Sequence, residues 1–524
     1  METGGITLQS AKIQKDQTKY TGFEDLLRTF SEAAPSRTAI LYEKSGKPVS
    51  LSRTEFARAA AARAGALLSN PKEAGLILKA DNKTPTCLGI LCDGSLSCVL
   101  TIFASALAGL QTVLLDENAA EELLIEQIRQ TDIDCLWGSD EDLAEELQPY
   151  LTEGIVPPSS QAEGALLPEG HRILFFTSGT TSSSKAVVLT DKSLMAAAYN
   201  GSCKLALSEE DTLLCMLPLN HVFGLVCGLL WGMQCGSAVA LGRGARYYTQ
   251  DLSFYRPTAL SAVPMLLGFL LQHDLLNDEL RLVLVGAGDC PKALLAAAAH
   301  KGVSVSFGYG LTETSSGVAI SVPPAYRASS DGTPYGPVEN CADPAASFDP
   351  YALEICPENT VNLAEDGEIL VAGDSCMMEG YYKHPEDTAA VLKNGVLYTG
   401  DLGKWDGSGR LHIIGRKKEI LVLQDGTKIF LPEYESRITA ALPGRDFAVV
   451  TRDGKPALLL VDPDLSLQSK DSRAKEAAQA DVQNKLRNAM AGLPRGQQLG
   501  AILFTGKPLP RTATGKIKRW ELKY

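Results

Sequence analysis

The sequence predicts an α/β protein. It has a large N-terminal domain of stacked, mostly parallel α/β sheets with a β-rich subdomain, then a small C-terminal α+β domain. Three observations carry this. Between residues 80 and 310, short apolar runs alternate with helical stretches of about 10–15 residues, the pattern of parallel strands joined by crossover helices. From about residue 330, Pro, Gly and Asp become dense and the strands short, which reads as antiparallel structure. At Arg416-Lys417-Lys418-Glu419 the apolar periodicity stops and a unit of roughly a hundred residues begins, an ordinary domain size. The division expected is therefore 1–415 and 416–524.

Taken in order, Phe23–Ala33 is helical, Ala39–Leu51 is a hairpin turning at Ser45-Gly46, and Arg53–Leu68 is an Ala/Arg-rich helix. Strands follow at Cys87–Cys92, Thr112–Leu115 and Asp134–Trp137, with helices between them. The apolar Ile173–Phe176 opens a second series: Leu213–Met216, Ser237–Leu241, Ala259–Val263, Leu282–Val285 and Val303–Phe307. Pro291 suits the first turn of the helix Pro291–His300. The β-rich region holds Glu368–Ala372, Val396–Thr399 and Leu411–Ile414. Beyond it come a hairpin on Asp425-Gly426, a helix Pro432–Ala441, two strands around Asp453-Gly454, a long helix Asp471–Ala491 and a strand Ala501–Phe504.

Composition narrows the function. The formal net charge of -13 supplies no basic field for nucleic acid or an anionic membrane. The 12 cysteines form no C-x-x-C and sit mostly in apolar runs, as buried free thiols in a reducing compartment do. The 6 histidines are dispersed, with no ligand-like pair for a structural metal. The start, METGGITLQSAKIQKD, has no apolar signal region, so a cytoplasmic location is expected. Val222–Leu241 is uncharged and long enough to cross a bilayer, but Gly236-Ser237 breaks it, and a buried helix followed by a strand is expected instead of a span.

The stretch Ile173–Lys185 reads ILFFTSGTTSSSK. A strand is followed by hydroxyls and small residues (Thr177, Ser178, Gly179, Thr180, Thr181, Ser182, Ser183, Ser184) and then one ammonium, Lys185. Such a loop turns N–H groups, hydroxyls and a cation towards an anion, and a polyphosphate suits it. A Ser/Thr/Gly run is also the composition of a linker. It is not a Walker A loop, which needs Gly before the Lys and Ser/Thr after it. Further candidates are Gly286-Ala287-Gly288 after a strand; Gly308-Tyr309-Gly310-Leu311-Thr312-Glu313 at another strand's carboxyl end; Tyr398-Thr399-Gly400-Asp401; and Thr514-Gly515-Lys516. Each alone is also an ordinary turn or a solvated lysine.

In combination and order, TSGTTxxxK, GYGLTE, YTGDLG, GRKKE and PRTATGK resemble the core motifs of the adenylate-forming superfamily. That family holds acyl-CoA synthetases, amino-acid-activating domains and beetle luciferases, and the likeness spans about residues 20–524. It implies a carboxylate attacking the α-phosphate of ATP, release of pyrophosphate, and transfer of the acyl group from acyl-AMP to a thiol. It further implies that Thr177–Thr181 and Lys185 embrace the β- and γ-phosphates, and that Gly286, Ala287, Gly288 and Tyr309 border adenine. Thr312 would touch the α-phosphate, Glu313 would hold Mg²⁺, Asp401 would bind the ribose, and Arg416 would lie by ribose and phosphate. Lys516 would be the adenylation lysine, Lys418 the hinge of a mobile C-terminal lid, and Gly426 a lining residue of the pantetheine tunnel.

The chain departs from the family in two places. Ser182, Ser184 and Ala186 stand where the phosphate loop usually has Gly, Pro and Gly. The Gly-x-Pro-Asp-rich run of the C-terminal domain is replaced by Val449–Gly454, which leaves CoA and a carrier-protein phosphopantetheine both open as acceptor. The acyl pocket implied by the resemblance is walled by Pro218–Gly224, with His221, Phe223 and Gly224 as candidates. The aligned position of the acid that pairs an amino acid's ammonium is Phe223, and no acid occurs from Pro218 to Leu241, so an α-amino acid is disfavoured. Gly224, Gly228 and Gly232 share one helix face and either open an acyl groove or let the helix pack closely. A medium- or long-chain fatty acid is the substrate expected, with CoA as acceptor. The alternatives are a ligase loading an acyl carrier protein in a lipopeptide or polyketide pathway, and a nucleotide-binding pseudoenzyme.

Overall fold

A computed structural model of the chain describes residues 19–79, 85–152, 171–177, 184–288, 290–326, 348–373, 375–423, 427–462, 472–510, 517 and 522. Its centre is two sheets with helices between them. The larger has nine strands, and its middle is parallel: Thr212–Cys215, Ala238–Leu241, Ala259–Ala262, Leu282–Val285 and Ser304–Leu311. The second has seven strands around the parallel set Cys87–Cys92, Gln111–Asp116, Cys135–Trp137 and Arg172–Phe176. The edges of both are antiparallel, which the strand–helix alternation did not announce.

The hairpin Thr38–Lys44/Lys47–Ser52 turns where expected, with Ser45 and Gly46 both at positive φ. Ser52 then starts the helix Arg53–Ser69 with a reciprocal cap to Glu55. The helix Leu96–Leu107 is apolar on nearly every side because it lies between the sheets, packed with Phe23 and Phe56 through Phe103. One core joins Leu88, Ile90 and Phe175 of the smaller sheet to Ile40 and Val239 of the larger through these helices.

Val222–Cys235 is a buried helix followed by the strand Ala238–Leu241, as expected. Its middle turn, Val226–Leu230, is a π-helix. Among the described residues no helix is long and apolar enough to cross a membrane.

A five-stranded antiparallel sheet carries the β-rich region. In it the ten-residue strand Val396–Trp405 pairs with Leu411–Arg416 in a register that sets Asp401 opposite Arg416. Further on, a two-stranded hairpin and a three-stranded sheet (Phe447–Arg452, Lys455–Val461, Ala501–Thr505) pack on the helices Leu431–Ala441 and Ser472–Ala489. Ile438, Val449, Leu458 and Leu486 fill that core.

Candidate active site

The strand Arg172–Phe176 and the strand Ala186–Thr190 form an antiparallel hairpin, so the hydroxyl-rich loop is its tip. The neck is closed by Thr177 N–H donating to Lys185 O (3.0 Å) and by Ser184 Oγ–H donating to Thr177 O (2.7 Å). One of the unusual serines thus ties the loop shut with its side chain, a bond that neither Pro nor Gly could make. Ser178, Gly179, Thr180, Thr181 and Ser182 lie outside the described residues, as do Lys516 and Gly426.

Lys185 leaves the neck towards a cavity of about 900 Å³, in whose wall it lies with Thr177. Its ammonium meets Asp387 Oδ1 at 2.8 Å and lies 5.2 Å from the centre of the Tyr381 ring. The hydrogen bond from Lys185 is the main reason Asp387 is held below the usual carboxylate range. The Tyr381 hydroxyl donates to Glu313 Oε1 at 2.7 Å. Burial first, then the Glu313 charge, push that phenol far up, so it remains a donor. Tyr381 therefore links two of the motif residues, with Lys185 over its ring and Glu313 at its hydroxyl. It sits on the two-residue strand Gly380–Tyr381, paired to Val187 and Val188, too short a strand to be legible as one.

The remaining motifs meet around Tyr309. Tyr309 Oη–H donates to Asp401 Oδ2 (2.9 Å), and Arg416 Nε approaches Asp401 Oδ1 (3.2 Å). Burial raises the Asp401 carboxyl, and Arg416, the next influence, offsets this in part. Burial and the Asp401 charge also push Tyr309 well up. Thr312, Glu313, Gly286, Ala287, Arg416 and Lys418 all line this cavity. Ala287 adopts φ 60, a left-handed conformation uncommon for a residue with a side chain. Gly286 is where the Phe223 ring packs: a Cβ there would lie 2.9 Å from Phe223 Cε2. Gly288 is outside the wall, with Pro264 as its nearest neighbour.

On the acyl side one candidate is corrected and one open alternative is decided. Gly224 does not face the cavity, because a Cβ on it would stand 2.0 Å from the carbonyl oxygen of Pro218. Gly228 and Gly232 likewise pack on Cys215 and on Val239 and Leu213, so the shared glycine face seats the helix on the sheet and opens no groove. His221 is exposed and lies in the cavity wall, just before the helix. Phe223 is in the wall, together with Val226 and Cys227 from the π-turn and Trp231 just after it.

The family described as AMP-binding enzyme matches residues 27–382. The 2-succinylbenzoate–CoA ligase of Bacillus cereus is 29% identical over 360 residues, covering 66% of this chain and 71% of its own length. The structure of O-succinylbenzoate coenzyme A synthetase from Bacillus subtilis in complex with AMP superposes with TM-score 0.70 at 22% identity, over 95% of this chain and 98% of that one. Its complex with ATP and magnesium ion gives 0.66 at 22% identity, over the same shares.

Proposed function

The chain belongs to the AMP-binding enzyme family, and we propose that it is an AMP-forming acid–thiol ligase that joins a carboxylic acid to CoA through an acyl-adenylate. The observation that carries this is convergence: motif residues from positions 177, 185, 286, 309, 313 and 416 line one cavity although they come from four separate regions of the chain.

In the reaction proposed, a carboxylate oxygen attacks the α-phosphorus of ATP. The bond to the bridging oxygen of the β-phosphate breaks, and pyrophosphate leaves. The CoA sulfur then attacks the acyl carbonyl and AMP departs. Attack of an anion on an anion accumulates negative charge, and fixed cations against that charge are the remedy. Lys185 and the loop it closes would receive the leaving phosphates. Asp401, held by Tyr309 and Arg416, would take the ribose hydroxyls.

Mg²⁺ fits the chemistry of the site. Tyr381 occupies Oε1 of Glu313, while Oε2 and the Thr312 hydroxyl offer the oxygen donors this ion prefers. When bound it would supply Lewis-acid stabilisation of the phosphates. The relatives named above carry CoA in their names, which supports CoA as acceptor. The fatty-acid expectation has less support: of the two roles open to Gly224, Gly228 and Gly232, close packing is the one their neighbours favour. We further assign 1–415 and 416–524 as the two domains, with Lys418 as hinge, Lys516 as adenylation lysine and Gly426 in the thiol tunnel. The eleven described cysteines are free thiols, which supports a reducing, cytoplasmic setting.

The experiment is half-reaction kinetics. Lys516→Ala is expected to slow adenylation by roughly two to three orders of magnitude, the scale of losing one charge-stabilising group. Thiolation of preformed acyl-adenylate by CoA should persist. Equal loss in both halves would refute the swinging-lid assignment, and turnover only with a phosphopantetheinylated carrier would refute CoA.

A further inference from the structure

Around Phe223 the cavity wall is apolar, and we treat this apolar stretch of wall as the acyl chamber. Trp231 lies in it and is 1% exposed. Its Nε1–H donates to Leu205 O at 3.0 Å, and the ring lies so close over Gly201 that a Cβ there would be 3.0 Å from Trp231 Cδ1. Leu284, Ile320 and Cys356, each at most 6% exposed, close the chamber around the indole. These residues belong to one apolar cluster with Leu205 and Leu282, so this wall is backed by packed core.

The chamber's polar groups are already engaged. Asn200, 1% exposed, donates to Gly317 O (3.5 Å) and Cys376 Sγ (3.4 Å) and accepts from Glu358 N–H (2.9 Å). Cys227 Sγ and Ser316 Oγ pair at 3.4 Å. Burial pushes the Cys227 thiol up to about 12, so it is neutral. Nearby Lys204 is already paired with Glu354 at 2.9 Å and stands outside the wall. Among the described residues the charged groups of the cavity wall (Lys185, Glu313, Asp387, Arg416 and Lys418) come from the sequence motifs and the strands and helix around Tyr381, and the wall's one imidazole, His221, is exposed to solvent and not buried with the apolar residues.

A carboxylate or ammonium carried into this chamber would lose its water and find no counter-charge. We propose that the acid taken by this protein is a monocarboxylate with a compact, uncharged apolar body, an aromatic ring or a short aliphatic chain, whose far end abuts Trp231. This rests on the ligase reading above. It separates the chain from its relatives named for 2-succinylbenzoate, because that substrate carries a second carboxylate.

The test is acid-dependent ATP–pyrophosphate exchange with benzoate, phenylacetate, hexanoate, palmitate and 2-succinylbenzoate. The compact monocarboxylates are expected to exceed the dicarboxylate and palmitate by about a hundred-fold or more in kcat/KM, the scale of an unpaired buried charge or an overfilled pocket. Trp231→Ala should move the preference to longer chains. Ile320→Ala, a milder change at the same wall, should do so in part, and it serves if Trp231→Ala fails to fold. Best turnover with 2-succinylbenzoate or palmitate would overturn the proposal and leave the ligase reading standing. Unchanged chain-length preference in folded variants would overturn the role of Trp231. No exchange with any acid would bring down the ligase reading, and this proposal with it.

Discussion

Gly224→Ala separates the two roles a glycine stripe can have. The ideal Cβ would sit 2.0 Å from the Pro218 carbonyl oxygen and 2.8 Å from its carbonyl carbon. Unstrained carbon contacts lie at roughly 3.5–4.0 Å, so the helix start and the Leu217–Leu219 turn must part. Both are backbone, and no rotamer relieves the clash. Overpacking of this kind costs about 1–3 kcal/mol, occasionally more. Thermal unfolding shifts by roughly 2–4 °C per kcal/mol in domains of 150–250 residues and by less in larger ones, so a drop of a few degrees is expected. The assay is calorimetric melting of the variant beside Gly407→Ala, a control with nothing within 4 Å of the added carbon. The preference among acids should stay as in the parent. A variant that melts with the control but discriminates acids differently would show that Gly224 faces substrate, and the packing argument would fall.

Other consequences are as direct. Asp401→Asn removes a buried charge that receives Tyr309 and Arg416. AMP affinity by calorimetry should drop about ten- to a hundred-fold, the worth of hydrogen bonds to a charged group, and unchanged affinity would contradict the ribose assignment. His171 is half-buried with Nε2 3.0 Å from Thr112 Oγ1, and desolvation lowers its pKa to about 4. A folded pKa below the ordinary value means this stability is whole above about pH 6.5 and is lost as pH falls towards 4. The loss is roughly 3 kcal/mol over that window. Urea midpoints at pH 7 and pH 5 should therefore differ more in the parent than in His171→Gln, and equal differences would refute the assignment. Gly65 lies inside the helix Arg53–Ser69, and a methyl carbon added to it would meet nothing within 4 Å. Gly65→Ala should add about 0.5–1 kcal/mol, and a lower melting point would count against it.

Local chemistry was legible where it is decided locally. The Ser45-Gly46 turn, the Gly236 stop after Val222–Cys235 and the strand before the hydroxyl-rich segment follow from neighbouring residues alone. What a face meets is decided by the rest of the chain. The spacing of Gly224, Gly228 and Gly232 established a common face, but only the sheet behind it tells a seat from a groove. The Asp401–Arg416 pair depends on a strand register running through an irregularity between Leu402 and Gly403. The π-turn that carries Cys227 has no apolar period to betray it. Tyr381 was missed because its two jobs, under Lys185 and against Glu313, join partners distant in sequence.

The most direct measurement of the central claim is acid-stimulated exchange of labelled pyrophosphate into ATP by the full chain with Mg²⁺. Exchange should need a carboxylic acid, collapse in Lys516→Ala and weaken in Glu313→Gln. A protein that binds AMP yet exchanges no pyrophosphate with any carboxylic acid would contradict it.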